Sequence, residues 1–243
     1  MILDSRNTAA EIATARPEIA VFPIGAVEQH SVHLPLGTDW LDITDLGQRI
    51  AGRLDAFLAP ALPFSMSECH GAMAGGVWLR PETLAAVLRD VVQSLHAQGL
   101  RRVLILNGHG GNFVLEAEIR RLNRLYPDLI VLMPPLFEWL LGEASLWDKG
   151  ADVHAEEMET SHQLFINAPH VKAQRVDCVP PVGREFLDYA TMPCISAWGA
   201  WGWPSYGTAE KGQRMVEFAV ERVVSWAPVT FSRVAALRGE RTA

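Results

Sequence analysis

The chain has little that could staple a fold through sulfur. Its three cysteines, Cys69, Cys178 and Cys194, are odd in number and none falls in a CxxC spacing, so neither a disulfide framework nor a thiolate zinc site is expected. No run of about eighteen apolar residues occurs, which excludes a membrane-spanning helix of ordinary length. The first residues, Met1 to Arg6, lack a basic region followed by an apolar stretch, so no signal peptide is expected and a cytoplasmic location is. Positive charge is also scarce. Against 28 Asp and Glu stand 21 Lys and Arg, giving a formal net charge of −7, the opposite of a surface built to neutralise nucleic-acid phosphates. Internal repeats, low-complexity tracts and a long linker are absent as well. What remains, 243 residues with 49% hydrophobic and 20% charged, suits one globular domain over 1–243 that handles a small molecule.

Short apolar runs closed by Gly or Pro predict strands at 19–24, 56–64, 101–106 and 129–133. Apolar residues at three- and four-residue spacing predict helices over 42–54, 81–98 (with Pro81 in its first turn and Gly99 beyond its end), 113–125, 156–165 and 209–225. Residues 175 to 207 are rich in Pro, Gly and Trp without periodicity, which predicts irregular structure around a site or an interface. Strands alternating with helices imply a mainly parallel sheet covered on both faces. Ligands bind such sheets beyond the carboxyl ends of the strands.

Two polar loops fall at those ends. Glu28-Gln29-His30-Ser31-Val32-His33-Leu34-Pro35-Leu36-Gly37-Thr38-Asp39 places Glu28 and His30 on one side of an extended segment, and Pro35 and Gly37 can turn the chain to return Asp39. Two carboxylates and an imidazole suit zinc, manganese or iron, and a carboxylate has two oxygens with which to bridge a pair of ions. The rival reading is a polar turn with a capping aspartate. In Asn107-Gly108-His109-Gly110-Gly111-Asn112 the glycines let the backbone bend after a buried strand and present His109 at the tip. A phosphate cradle is the alternative there, although the Lys-Ser/Thr pair of a P-loop and the GxGxxG spacing are missing. A third segment, Asp152 to Ser161, puts His154 and Glu159 five apart, only roughly on one helical face, and an acidic helix start is common in its own right. His96, His162 and His170 read as solvent or core residues, and His33, which sits in the first motif, reads equally as a ligand or as a structural or supporting residue. Trp198, Trp201, Trp203 and Tyr206 could wall a pocket or bury an interface.

Together the three motifs resemble the creatininase (creatinine amidohydrolase) family. Its pattern runs approximately P-[LIV]-G-[SA]-x-E-Q-H-G-x-H-L-P-L-x-T-D, then N-G-H-G-G-N, then D-x-H-A-G-x-x-E-T-S. Pro23 to Asp39, Asn107 to Asn112 and Asp152 to Ser161 stand here in that order. The resemblance implies a three-layer αβα sandwich and a site for two divalent transition-metal ions. By position, Glu28 and His109 would hold one ion, His30 the other, and Asp39 would bridge them. In creatininase proper a glutamate two residues beyond the loop histidine completes the second shell. Gly111 occupies that place here, so Glu159 is the expected replacement, with Glu157 in reserve. Gly111 in that place puts creatinine itself in doubt as the substrate; Ser31 and Glu156 stand where the family carries glycine, and Trp203 where many members have aspartate, which implies a pocket different from those of the known activities.

The implied activity is hydrolysis of a C–N bond in a small cyclic amide, formamide or related compound by a metal-activated water. His154 would pass a proton to the departing nitrogen, Asp152 would orient it or touch substrate, and His70, Trp78 and Trp203 would line the pocket. A short-peptide peptidase of the same family is one alternative; a non-catalytic α/β module binding a nucleotide or phosphorylated ligand at 107–112 is another. The resemblance also implies a homo-oligomer, commonly a hexamer, with segment 198 to 206 as a contact.

Overall fold

Ile19–Ile24 (β1), Phe57–Leu58 (β2), Arg102–Asn107 (β3) and Ile130–Leu132 (β4) form one parallel sheet in the order β2-β1-β3-β4 in a computed structural model that describes residues 2–149 and 153–239. The segment expected to be a strand over 56–64 contributes only two ladder residues and two further bridges, Phe57 to Leu3 and Leu62 to Ile24. Pro60 and Pro63 cannot donate to a ladder, which explains the shortening. The helices are Ala9–Ala15 (α1), Thr38–Arg53 (α2), Pro81–Ala97 (α3), Val114–Leu125 (α4), Leu136–Gly142 (α5), Glu157–Asn167 (α6), Met192–Ile195 (α7) and Ala209–Leu237 (α8).

Alternation along the central strands assigns the two faces. Val21, Leu104 and Leu106 pack with Ile43 and Ile50 of α2, Leu140 of α5 and Met215, Val220 and Phe231 of α8. Ala20, Phe22, Val103 and Ile105 pack with Leu84, Leu88 and Val92 of α3 and Leu115 and Leu122 of α4. Burying each of these large side chains contributes about 1.5–3 kcal/mol, and both sheet faces are dry. This is the expected αβα sandwich. None of its helices is long and apolar enough to cross a membrane, among the described residues.

Three differences from the sequence reading bear on the site. Helix α2 starts at Thr38, four residues before the expected Asp42, so Asp39 sits in its first turn. Helix α8 runs on through Pro228 to Leu237, because Phe231 and Ala235 are buried on the same apolar stripe; that burial outweighs the single hydrogen bond Pro228 cannot donate. Three short helices, α1, α5 and α7, lie outside the expected elements because none spans two full turns of periodicity.

The chain passes from β1 outward to β2 and then returns to lay β3 on the other side of β1. The loops leaving β1 and β3 therefore diverge at a topological switch point, with Ile24 paired to Asn107 at its edge. A crevice opens at such a place.

Candidate metal centre

Asp39 is at the middle of that crevice because a helix start lies directly over two strand ends. A Cβ on Gly25 would fall 2.4 Å from Trp40 Cα, and one on Gly108 would fall 3.0 Å from the Asp39 carbonyl oxygen; only glycine permits α2 to approach both strands so closely. The Asp39 carboxylate then reaches both ways. Oδ1 lies 3.0 Å from His30 Nε2 and Oδ2 lies 2.9 Å from His109 Nδ1. Burial alone would raise the Asp39 pKa, but the two histidines hold it well below the usual carboxylate range.

Glu28 is fully buried, and neither of its carboxylate oxygens has a hydrogen-bond partner among the described residues. Its Oε1 is 3.4 Å from His109 Nδ1, 3.4 Å from His70 Nε2 and 3.6 Å from His154 Nδ1. Burial, reinforced by the charge of Asp39, pushes its pKa well above normal. A carboxylate stripped of water and left unpaired is costly in any protein. Donor atoms about 2.1 Å from a common ion stand about 3.0–3.4 Å apart, the spacing found here. Among the described residues three groups bring their donor atoms within 4.8 Å of one another: Glu28, Asp39 and His109; His30, His154 and Glu159; and Glu28, His70 and His154.

His30 is oriented for ligation. Its Nδ1 donates to the Glu28 carbonyl oxygen at 3.1 Å, so Nε2 faces Asp39 and, at 3.6 Å, Glu159 Oε2. Burial would lower its pKa, yet those two carboxylates raise it to about 9. Glu159 accepts from the Ala155 amide at 2.6 Å, and burial lifts its pKa to about 8. The reserve candidate, Glu157, does not reach the cluster. Its carboxylate is taken by Lys211 of α8 and by the backbone amides of Asp148 and Lys149.

Gly111 explains why a carboxylate arrives from α6 at all. A Cβ there would lie 2.4 Å from His109 Nε2 and 2.7 Å from the Met66 carbonyl oxygen, so no glutamate fits in this loop conformation. The loop is braced from within: the Asn107 carboxamide oxygen accepts from the His109 amide at 3.2 Å and from Asn112 Nδ2 at 3.0 Å, while Asn112 Oδ1 accepts from the Met66 amide at 3.1 Å.

His154 precedes α6 and is pinned by Trp201. The two exchange backbone bonds, His154 donating at 3.2 Å and Trp201 at 2.8 Å. Burial and the charge of His30 hold the imidazole well below its ordinary pKa, hence neutral. Asp152 lies outside the described residues. A cavity of about 780 Å³ opens over the cluster, lined by His70, His109, His154 and Glu159 at its floor and by Phe137, Met192 and Arg184 higher up. Trp78 and Trp203 do not line it. Trp78 packs over Gly71 and is 43% exposed, while Trp203 stacks edge-on with Tyr206 and meets the Lys149 ammonium. Sequence reasoning missed Gln29, which contacts two of the histidines, and Arg184, which donates to the Gly110 carbonyl oxygen at 2.9 Å. Gln29 was recoverable from its place between Glu28 and His30. No local signal marks Arg184.

A family model described as Creatininase: Creatinine amidohydrolase matches residues 5–227. The mycofactocin precursor peptide peptidase of Mycobacterium ulcerans (strain Agy99) is 29% identical over 240 residues, spanning 91% of this chain and 90% of that one. The creatinine amidohydrolase of Pseudomonas putida is 27% identical over 230 residues, spanning 84% and 86%. A solved structure, creatininase with Mn, superposes with a TM-score of 0.79 at 21% identity, covering 93% of this chain and 97% of that one. With the family model running over nearly all of the sequence and the same fold beneath it, the chain belongs to the creatininase family of amidohydrolases.

Proposed function

We propose that this chain is a metal-dependent amidohydrolase that opens the C–N bond of a small cyclic amide, formamide or related compound. The observation that carries the reading is Glu28, a carboxylate buried among three imidazoles and Asp39 with neither oxygen satisfied. Glu28, Asp39 and His109 would hold one divalent transition-metal ion, and His30 and Glu159 a second, with Asp39 presenting one oxygen to each. Zinc, manganese or iron fits this nitrogen and carboxylate donor set. Such ions, when bound, lower the pKa of water and polarise a carbonyl.

The residues supply the rest. His154 is neutral, with Nε2 donating to the Gln29 carbonyl oxygen at 2.7 Å, so the Nδ1 lone pair faces the cavity floor. It can take a proton from the attacking water and return it to the departing nitrogen. Phe137 and Met192 add apolar surface to the cavity wall. Arg184 has no carboxylate within ion-pair distance among the described residues and is free to meet an anionic group of the substrate.

A second reading, a short-peptide peptidase, is favoured by the cavity, which is far larger than a single five-membered ring needs, and by the identity to the mycobacterial peptidase. Metal-loaded protein assayed against lactams, formamides and short peptides separates the two. The expected outcome is turnover of at least one amide class, lost by about 10³-fold or more in His30→Ala and Asp39→Ala with circular dichroism unchanged. Unimpaired turnover in either variant would refute the site.

A further inference from the structure

Gln29 is in contact with more partners than its side chain can satisfy, and resolving the conflict assigns protons to the neighbouring imidazoles. Its Oε1 accepts from the Ser31 amide at 2.9 Å, and its Nε2 donates to the Gly199 carbonyl oxygen at 3.1 Å. A backbone amide can only donate and a carbonyl can only accept, so the carboxamide orientation is settled by these two contacts. Nε2 has one hydrogen left and two imidazole nitrogens in reach, His70 Nδ1 at 2.8 Å and His154 Nε2 at 3.0 Å.

His154 Nε2 also lies 2.7 Å from the Gln29 carbonyl oxygen. That atom only accepts, so His154 Nε2 carries a proton and cannot also receive one from Gln29. The remaining Gln29 hydrogen therefore goes to His70 Nδ1. An imidazole that accepts at Nδ1 is neutral and carries its single proton on Nε2. This Nε2–H makes no hydrogen bond among the described residues: Glu28 Oε1, 3.4 Å away, lies beyond a good one. His70 is also part of the cavity wall.

We propose that Gln29 is a positioning residue that locks His70 as a hydrogen-bond donor facing the substrate's amide oxygen, and thereby bars His70 from serving as a metal ligand. Of the three donor groups gathered at the site, the one made of Glu28, His70 and His154 is then not an ion site, because His70 Nε2 offers a proton where a lone pair would be needed. A donor already aimed where charge develops during attack is worth more than one recruited from solvent. Gly199 completes the lock. It sits at φ +69°, and a Cβ there would fall 1.9 Å from Gln29 Oε1, so any larger residue displaces the carboxamide.

The catalytic half of this proposal rests on the amidohydrolase reading, whereas the tautomer half does not. Long-range ¹H–¹⁵N spectra of metal-free protein, with the His70 signals assigned by their loss in His70→Ala, read the tautomer directly. The expected spectrum has a protonated Nε2 and an unprotonated Nδ1 for His70, shifting toward a mixture in Gln29→Met and in Gly199→Ala. A His70 protonated at Nδ1 in the unaltered protein would overturn the lock, whatever the substrate proves to be. In metal-loaded enzyme His70→Ala is expected to lower kcat by about 10²-fold with metal content unchanged, and His70→Gln, which keeps an N–H of similar reach, to recover part of that loss. A bound ion lost in His70→Ala, or equal kcat losses in both variants, would overturn the donor role.

Discussion

A single atom decides how much the loop after β3 can vary. A Cβ added to Gly111 would meet His109 Nε2 and the Met66 carbonyl oxygen so closely that a methyl group cannot be added without moving one of them, and the Met66 oxygen belongs to backbone that the Asn112 side chain holds in place. Gly111→Ala is expected to turn the His109 ring and weaken metal retention by at least 10-fold, read by competition with a chelating dye; undiminished affinity would show that the loop relaxes freely. His33 gives a second prediction at this scale. Its Nε2 meets Thr160 Oγ1 at 2.9 Å, while Nδ1 is buried with no partner among the described residues. Burial, with Arg175 and His30 adding positive charge, lowers its pKa to about 4, against about 6.5 for a free imidazole. The unfolded chain thus binds the extra proton first. Stability from this residue is complete above pH 6.5 and is lost as pH falls toward 4, by about 3 kcal/mol. Urea denaturation between pH 7 and 4 should show this loss, reduced in His33→Asn; an equal slope in both proteins would remove His33 as its cause.

Helices α6 and α8 form the most extensive helix pair, and their contact is polar at its heart. Lys211 donates to Glu157, to Asp148 at 2.6 Å and to the Tyr206 carbonyl oxygen at 2.8 Å, in a place where Glu157 is 1% exposed. Removing one member of a buried pair strands the other charge, at about 3–5 kcal/mol. Lys211→Met should therefore lower stability by that order, and the double change with Glu157→Gln should recover part of it; a neutral single variant would mean that water enters the site. The same pair shows what was readable beforehand. Glu156, Glu157 and Glu159 look alike in sequence, and an acidic helix start suits the dipole whichever one points inward. Only the rotation of α6 about its axis, set by packing on α8, sends Glu159 to His30 and Glu157 to Lys211. By contrast the placing of Glu28, His30 and His109 at one edge of the sheet was legible, because they stand in the two loops that leave buried strands whose direction the apolar runs reveal. The early start of α2 was not, since Thr38 and Asp39 carry no apolar periodicity, and neither was the continuation of α8 past Pro228.

At the scale of the whole molecule the donor atoms come from the loops after β1 and β3, the first turn of α2 and the first turn of α6, so ions bound there would tie four separate segments to the sheet. Without ions the same arrangement works against itself. Glu159, raised by burial to about 8, and His30, raised by Asp39 and Glu159 to about 9, both keep a proton in the folded metal-free protein at pH values where the unfolded chain has released it. Through these two groups the folded metal-free protein binds more protons than the unfolded chain, and their contribution to its stability falls as pH rises from about 5 to 9. Ligands to a metal must be deprotonated, so the loaded form does not share this decline. An ion at about 100 times its Kd adds about 2.7 kcal/mol, or roughly 5–10 °C in Tm for a chain of this length. Chelation should lower Tm by that order, more at pH 8 than at pH 6, and zinc or manganese should restore it in a concentration-dependent way. The His33 contribution is common to both forms and cancels in the difference. Calorimetry with and without chelator at the two pH values measures the gap, and a gap that is absent, or smaller at pH 8, would mean that these carboxylates and imidazoles are held together by something other than a shared cation.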